Sequence, residues 1–129
     1  MAWISGPPGA GKSTLAATYV EARGYHCAWY QLDPDDADVA TFFHFLSHAV
    51  RKLGGTDALE LPAFTPQHLQ DVAAFSRRFF RQLFSRTPAR AALVLDNLHE
   101  AAANTPLQEV LEAGLTQVTK HCCVIITSR

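Results

Sequence analysis

Residues 6–14 read Gly-Pro-Pro-Gly-Ala-Gly-Lys-Ser-Thr, which fits G-x-x-x-x-G-K-[ST] at every fixed position. Residues of these types at this spacing can hold a polyphosphate. The glycines let the backbone curl so that successive N–H groups point into one concavity. A helix starting near Gly11 adds its positive N-terminal end. Lys12 brings an ammonium to the β- and γ-phosphates. Ser13 offers a hydroxyl to Mg²⁺, a cation that takes oxygen ligands and keeps most of its water. The candidate cofactor-binding residues are therefore Gly6, Pro7, Pro8, Gly9, Ala10, Gly11, Lys12, Ser13 and Thr14, and the implied cofactors are ATP and Mg²⁺.

A second element of this chemistry lies far along the chain. Leu93-Val94-Leu95-Asp96 is an apolar strand ending in a carboxylate, the Walker B pattern. It would set Asp96 beside the cation held by Ser13, making these two the candidate metal ligands. Asn97 follows directly. An amide can orient water but cannot take its proton at neutral pH. Glu100, one helical turn on if that segment is helical, is a substitute base; its plainer reading is a solvated surface carboxylate. Thr127 and Arg129 sit where a polar sensor of the γ-phosphate would lie, and a guanidinium there could reach phosphate or a second protomer. Lys12, Asp96, Asn97, Glu100 and Arg129 are the candidate catalytic residues, and hydrolysis is expected to be slow. His44 and His48 share a helix face at i, i+4, but Phe45 stands where H-E-x-x-H needs Glu, so metal binding there is not expected.

These residues need a scaffold. Ala2–Ser5 suits the end of a buried strand, and Lys12–Arg23 a helix with Leu15, Ala16, Tyr19 and Val20 at helical spacing. His26–Leu32 reads as a strand closed by Asp33-Pro34-Asp35-Asp36. Asp38–Leu53 reads as a helix ended by Gly54-Gly55, followed by a loop. Thr65 with Pro66 begins a helix that should run to about Ser85, with Leu69, Val72, Phe75, Phe79, Phe80, Leu83 and Phe84 as its stripe. Arg77, Arg78 and Arg81 lie mostly off that stripe, as a solvated face. Ala91–Leu95 is a buried strand, Thr105-Pro106-Leu107-Gln108 a capping-box start to a helix reaching Val118, and Cys122–Ile126 the last strand. Strands alternating with helices predict an α/β fold with a parallel sheet covered on both faces. Ligands of such sheets bind beyond the carboxyl ends of the strands, where the loop, Asp33, Asp96 and residues 127–129 should gather.

Composition narrows the function further. A formal net charge of −1 with no basic tail or stripe gives no footing for direct nucleic-acid contact or an anionic membrane. No apolar run reaches the ~20 residues that a membrane span needs, and no leader is visible, so a cytoplasmic location is expected. Three cysteines without zinc spacing predict reduced core thiols. Few residues precede the loop and the chain stops just after a strand. Residues 1–129 thus read as the N-terminal part of one truncated domain.

The assembled features resemble the P-loop ATPase domain of STAND-class signalling NTPases. The likeness is greatest to bacterial transcriptional activators of the maltose-regulon-activator and large LuxR type, including those with a bacterial transcriptional activator domain. It is carried by GPPGAGKSTL at 6–15, WYQLD at 29–33, FFHFL at 42–46, LVLDNLHEA at 93–101 and VIITSR at 124–129. The resemblance implies a three-layer core with strand order 5-1-4-3-2. Without its fifth strand this chain should be ordered 1-4-3-2, leaving the loop strand as an edge open to association. It also implies that Asp96 is the Walker B acid and Arg129 the sensor arginine. Asn97 departs from the Asp-Asp often found there. The implied function is a slowly hydrolysing Mg-ATP switch in a signal-transducing transcriptional regulator, with ATP and ADP as ligands. Self-association would occur through the full-length protein, and DNA would be read by a separate domain. Two other readings stay open: a small-molecule P-loop kinase, and an ATP-binding module without hydrolysis.

Overall fold

Four short strands carry the fold: β1 (Ala2–Ser5), β2 (His26–Gln31), β3 (Ala91–Asp96) and β4 (Cys122–Ser128). They form one all-parallel sheet in the order β1-β4-β3-β2, as the sequence predicts. The computed structural model describes residues 2–5, 11–32, 38–54, 61–87, 90–98, 105–119 and 122–128. Among the described residues four α-helices connect the strands: α1 (Lys12–Ala22), α2 (Val39–Val50), α3 (Val72–Arg86) and α4 (Thr105–Leu115).

The sheet sorts its side chains by parity, since neighbours on a strand face opposite sides. Ala92 and Val94 of β3 and Ile125 of β4 pack with Ala16 and Val20 of α1. Ala91, Leu93, Leu95, Cys122, Val124 and Ile126 face the other way, onto α2, α3 and α4. Every residue of β3 is buried, as a central parallel strand requires. The two faces are covered unequally. The α2–α4 side holds an aromatic cluster, with Phe43 5.4 Å from Phe42, 4.8 Å from Phe75 and 4.9 Å from Phe79, ring centre to ring centre. Each buried Phe contributes about 1.5–3 kcal/mol of hydrophobic stabilisation. Only α1 contributes a described helix to the opposite face.

All four helices depart from their expected form; α4 ends at Leu115, short of the expected Val118. In α1 only Ala16 and Val20 are buried, and Leu15 and Tyr19 turn outward. The helix expected from Thr65 to Ser85 is interrupted. Pro66–Gln70 forms a 3₁₀ turn, in which the Thr65 amide donates to His68 Nδ1 at 2.9 Å. Asp71 then leaves helical geometry and its carboxylate accepts from the Ala74 amide at 3.0 Å, starting α3 afresh. A local N-cap outcompetes continuation of the helix, because aspartate satisfies an orphan amide better than one more helical turn does. Leu69 is consequently 61% exposed and lies off the core stripe. Likewise α2 stops at Val50, and Arg51–Gly54 tightens into a 3₁₀ turn. Its start is as expected, with Asp38 accepting from the Thr41 amide and hydroxyl.

At its far end α1 closes in a Schellman arrangement. The Gly24 amide donates to Glu21 O and the Tyr25 amide to Val20 O, both at 3.1 Å. This turn delivers the chain into β2. The α3–α4 contact is the tightest helix pair: Ser76 is buried and donates to Val110 O at 2.5 Å. A Cβ on Gly114 would come within 2.6 Å of the Phe80 ring and 2.8 Å of Ser76 Oγ.

Candidate functional site

The site is built by three chain segments that meet at the carboxyl end of the sheet. Asp96 is the last residue of β3 and shares parity with Ala92 and Val94, so it lies on the α1 side. Thr127 shares parity with Ile125 on β4 and lies on that same side. The pairing of Leu95 with Ile126 puts the next residues of both strands, Asp96 and Thr127, side by side. Ser13 comes from the first turn of α1, which crosses this face.

The result is a short relay of hydrogen bonds. Ser13 Oγ donates to both carboxylate oxygens of Asp96, at 2.8 and 2.9 Å. Thr127 Oγ1, fully buried, donates to Asp96 Oδ1. The Asn97 amide in turn donates to Thr127 Oγ1 at 2.9 Å. Asp96 is only 3% exposed, so its carboxylate depends on such donors. Hydrogen bonds to a charged group contribute about 1.5–3 kcal/mol each. The Asp96 carbonyl accepts from the Leu32 amide at 2.8 Å, which ties the end of β2 to the site.

Two residues in left-handed backbone geometry frame the relay. Gly11 has φ 75° and is the N-cap of α1. Glycine bears that angle without a Cβ penalty, and it places no side chain over the helix end. The amides of Lys12, Ser13 and Thr14 begin the helix, and the first turn holds no acid. An α-helix leaves its first amides without intrahelical acceptors, and its dipole favours an anion there. Asn97 has φ 61°. Asparagine tolerates this region better than most residues. It turns the chain just after the carboxylate, so its backbone has a task besides any done by its amide side chain.

Ser13 and Asp96 supply hydroxyl and carboxylate oxygens, the hard donors that Mg²⁺ takes. Two protein ligands suit a cation that keeps several waters. The residues present therefore fit Mg²⁺.

Of the sequence-derived candidates, Gly11, Lys12, Ser13, Thr14, Asp96 and Asn97 come together at this rim. Gly6, Pro7, Pro8, Gly9, Ala10, Asp33, Glu100 and Arg129 lie outside the described residues. Thr127 differs from expectation. Its hydroxyl is consumed by Asp96 and Asn97 inside the core, so it locks the carboxylate and does not stand free as a phosphate sensor. The sequence carried only an indirect signal: Asp96 and Thr127 each directly follow a predicted strand, and the two strands are expected to be neighbours.

The remaining polar residues lie elsewhere. His44 and His48 are exposed, with ring centres 6.3 Å apart, and no group of three or more His, Cys, Asp or Glu fit for a metal occurs among the described residues. Arg77, Arg78 and Arg81 are exposed on α3, with Arg78 over the Phe75 ring and Arg81 Nε donating to Gln117. All three cysteines are free thiols. Cys122 is buried and Cys123 half-buried, while Cys27 is exposed and departs from the expected core position. Burial, partial at Cys27 and Cys123, pushes all three thiols above their ordinary value. Among the described residues no helix is long and apolar enough to cross a membrane.

No curated protein matches the chain. A family model does, over residues 1–129, and its description is Nephrocystin 3, N-terminal; the chain belongs to that family.

Proposed function

We propose that the chain is a Mg-ATP-binding, slowly hydrolysing nucleotide switch module. The observation that supports this reading most is the bond from Ser13 to Asp96 across the front of α1. A phosphate-loop serine and a strand-end carboxylate meet where the motif requires a cation. In the proposed mechanism, the α1 amides and Lys12 hold the β- and γ-phosphates. Bound Mg²⁺ supplies charge neutralisation at the transferring phosphate. Ser13 and Asp96 hold that cation, and Thr127 keeps the Asp96 carboxylate aimed at it. Glu100 is the proposed base and Arg129 the proposed γ-phosphate sensor.

The place of this module in a cytoplasmic, self-associating transcriptional regulator rests on the likeness of residues 29–33, 93–101 and 124–129 to bacterial activators. A linked domain, not this one, would then bind DNA. The direct test is calorimetric titration of full-length protein with ATP, with and without Mg²⁺. Micromolar binding that weakens at least tenfold without Mg²⁺ is expected; equal affinity in both conditions overturns the cation assignment.

One observation favours a second reading, ATP binding without turnover. The residue after Asp96 is an amide, held at a φ that asparagine tolerates. Single-turnover assays separate the two. Phosphate release, accelerated by Asn97→Asp, supports the switch; bound ATP that persists intact in both proteins supports the binding module.

A further inference from the structure

A cavity of about 270 Å³ opens between α2 and the segment 61–64, and it shares no residue with the relay at Asp96. Its floor is apolar. Phe43 is buried at its base, and the Phe64 ring stacks on Phe43 with centres 5.7 Å apart. Leu61 and Pro62 extend that wall. Its rim is polar and one-sided. His44, Ser47, His48 and Arg51 line it from successive turns of α2 and the 3₁₀ turn that follows. Among the described residues no carboxylate lines it.

The histidine pair taken alone suggests a metal. The Arg51 guanidinium beside it decides otherwise, because a fixed positive charge repels a cation and attracts an anion. Two imidazoles, a hydroxyl and a guanidinium are hydrogen-bond donors to a planar carboxylate. The aromatic floor wants an apolar body, and the volume lies just under the usual range for drug-sized ligands.

We propose that this cavity binds a small apolar carboxylate, with its ring or alkyl body against Phe64, Leu61 and Pro62 and its carboxylate on His44, His48 and Arg51. A bare phosphate would leave the aromatic floor unused.

The test is ligand-observed ¹⁹F NMR of 3-(4-fluorophenyl)propionate with the full-length protein at neutral pH and low salt. Saturable binding with Kd of about 1 mM or tighter is expected. The neutral alcohol 3-(4-fluorophenyl)propan-1-ol should bind at least tenfold more weakly. Arg51→Gln and His44→Gln should each weaken the acid about three- to tenfold. Arg81→Gln, which removes the same charge from α3, should leave its affinity unchanged. Equal affinity for acid and alcohol overturns the proposal, as does the absence of saturable binding. So does displacement by inorganic phosphate at matching concentration, which reduces the cavity to a bare anion site. The wild-type comparison of acid with alcohol decides the matter even if a variant folds poorly.

Discussion

Ser13 and Asp96 stand 83 residues apart in sequence and share a hydrogen bond of 2.8 Å. One belongs to the opening turn of α1 and the other ends the most buried strand. Their bond couples a helix start to the sheet through groups that a divalent cation would also use.

Removing either partner should therefore affect cation-dependent binding more than folding. Asp96→Asn keeps shape and burial but lowers the negative charge. Mg-ATP affinity is expected to fall by about 10- to 100-fold, and the affinity for ATP measured in EDTA should change little. Ser13→Ala should move the same way by a smaller factor. Calorimetry with and without Mg²⁺ checks both. A fall of equal size in EDTA would mean that the carboxylate serves the fold and not the cation.

Lys12→Ala tests the anion half of the site. Its ammonium is proposed to hold the β- and γ-phosphates, and one charge-assisted bond is worth about 1.5–3 kcal/mol. ATP affinity should drop at least tenfold, with the melting temperature of the unliganded protein unchanged within about 2 °C. Unchanged affinity would refute the assigned contact.

Thr127 should be intolerant of a change that keeps its shape. Thr127→Val removes the donor to Asp96 and the acceptor for the Asn97 amide while filling the same space. A buried polar group left unsatisfied costs about 1–3 kcal/mol. Denaturant unfolding should show a loss in that range and nucleotide affinity should fall with it. Thr127→Ser, which keeps the hydroxyl, should recover most of both.

The α3–α4 contact offers a test of packing alone. Gly114→Ala must move the Phe80 ring or part the helices. Overpacking of this kind costs about 1–3 kcal/mol. A stability loss of that size, partly relieved by Phe80→Leu and without effect on ATP binding, is expected in chemical unfolding.

The thiols should be sluggish. Burial, partial at Cys27, pushes the thiol pKa of Cys27, Cys122 and Cys123 above the ordinary value. The reactive thiolate is then scarcer at pH 8 than in a free cysteine. Cys27, the exposed member, should alkylate with iodoacetamide more slowly than a model peptide at pH 8. The gap should close as pH rises well past 9. A native rate matching the peptide at pH 8 would contradict the assignment.

Much of this arrangement was legible in the sequence. The parallel sheet followed from alternating strands and helices, and its strand order from the resemblance. The meeting of Ser13 and Asp96 followed from two spaced motifs. Where reading failed, either a local cap or a tertiary contact had overridden periodicity. Asp71 caps a new helix in the middle of an apolar stripe that continues on both sides, so spacing alone could not expose the break. Leu15 and Tyr19 keep helical spacing with Ala16 and Val20, yet the narrow contact of α1 with the sheet buries only the smaller pair. Thr127 was expected where a polar sensor of the γ-phosphate would lie. Its buried bond to Asp96 depends on strand pairing, a non-local relation that no single stretch of sequence displays. The cavity beside α2 depends on how the segment 61–64 crosses that helix, which is likewise tertiary.

Alternation along β3 and β4 has one further consequence. Sliding either strand by a single step would swing its polar end from one side of the sheet to the other and separate the acid from its hydroxyl. The oily interior thus works as a vernier: hydrophobic teeth far from the reactive rim keep a carboxylate aligned there to within one residue.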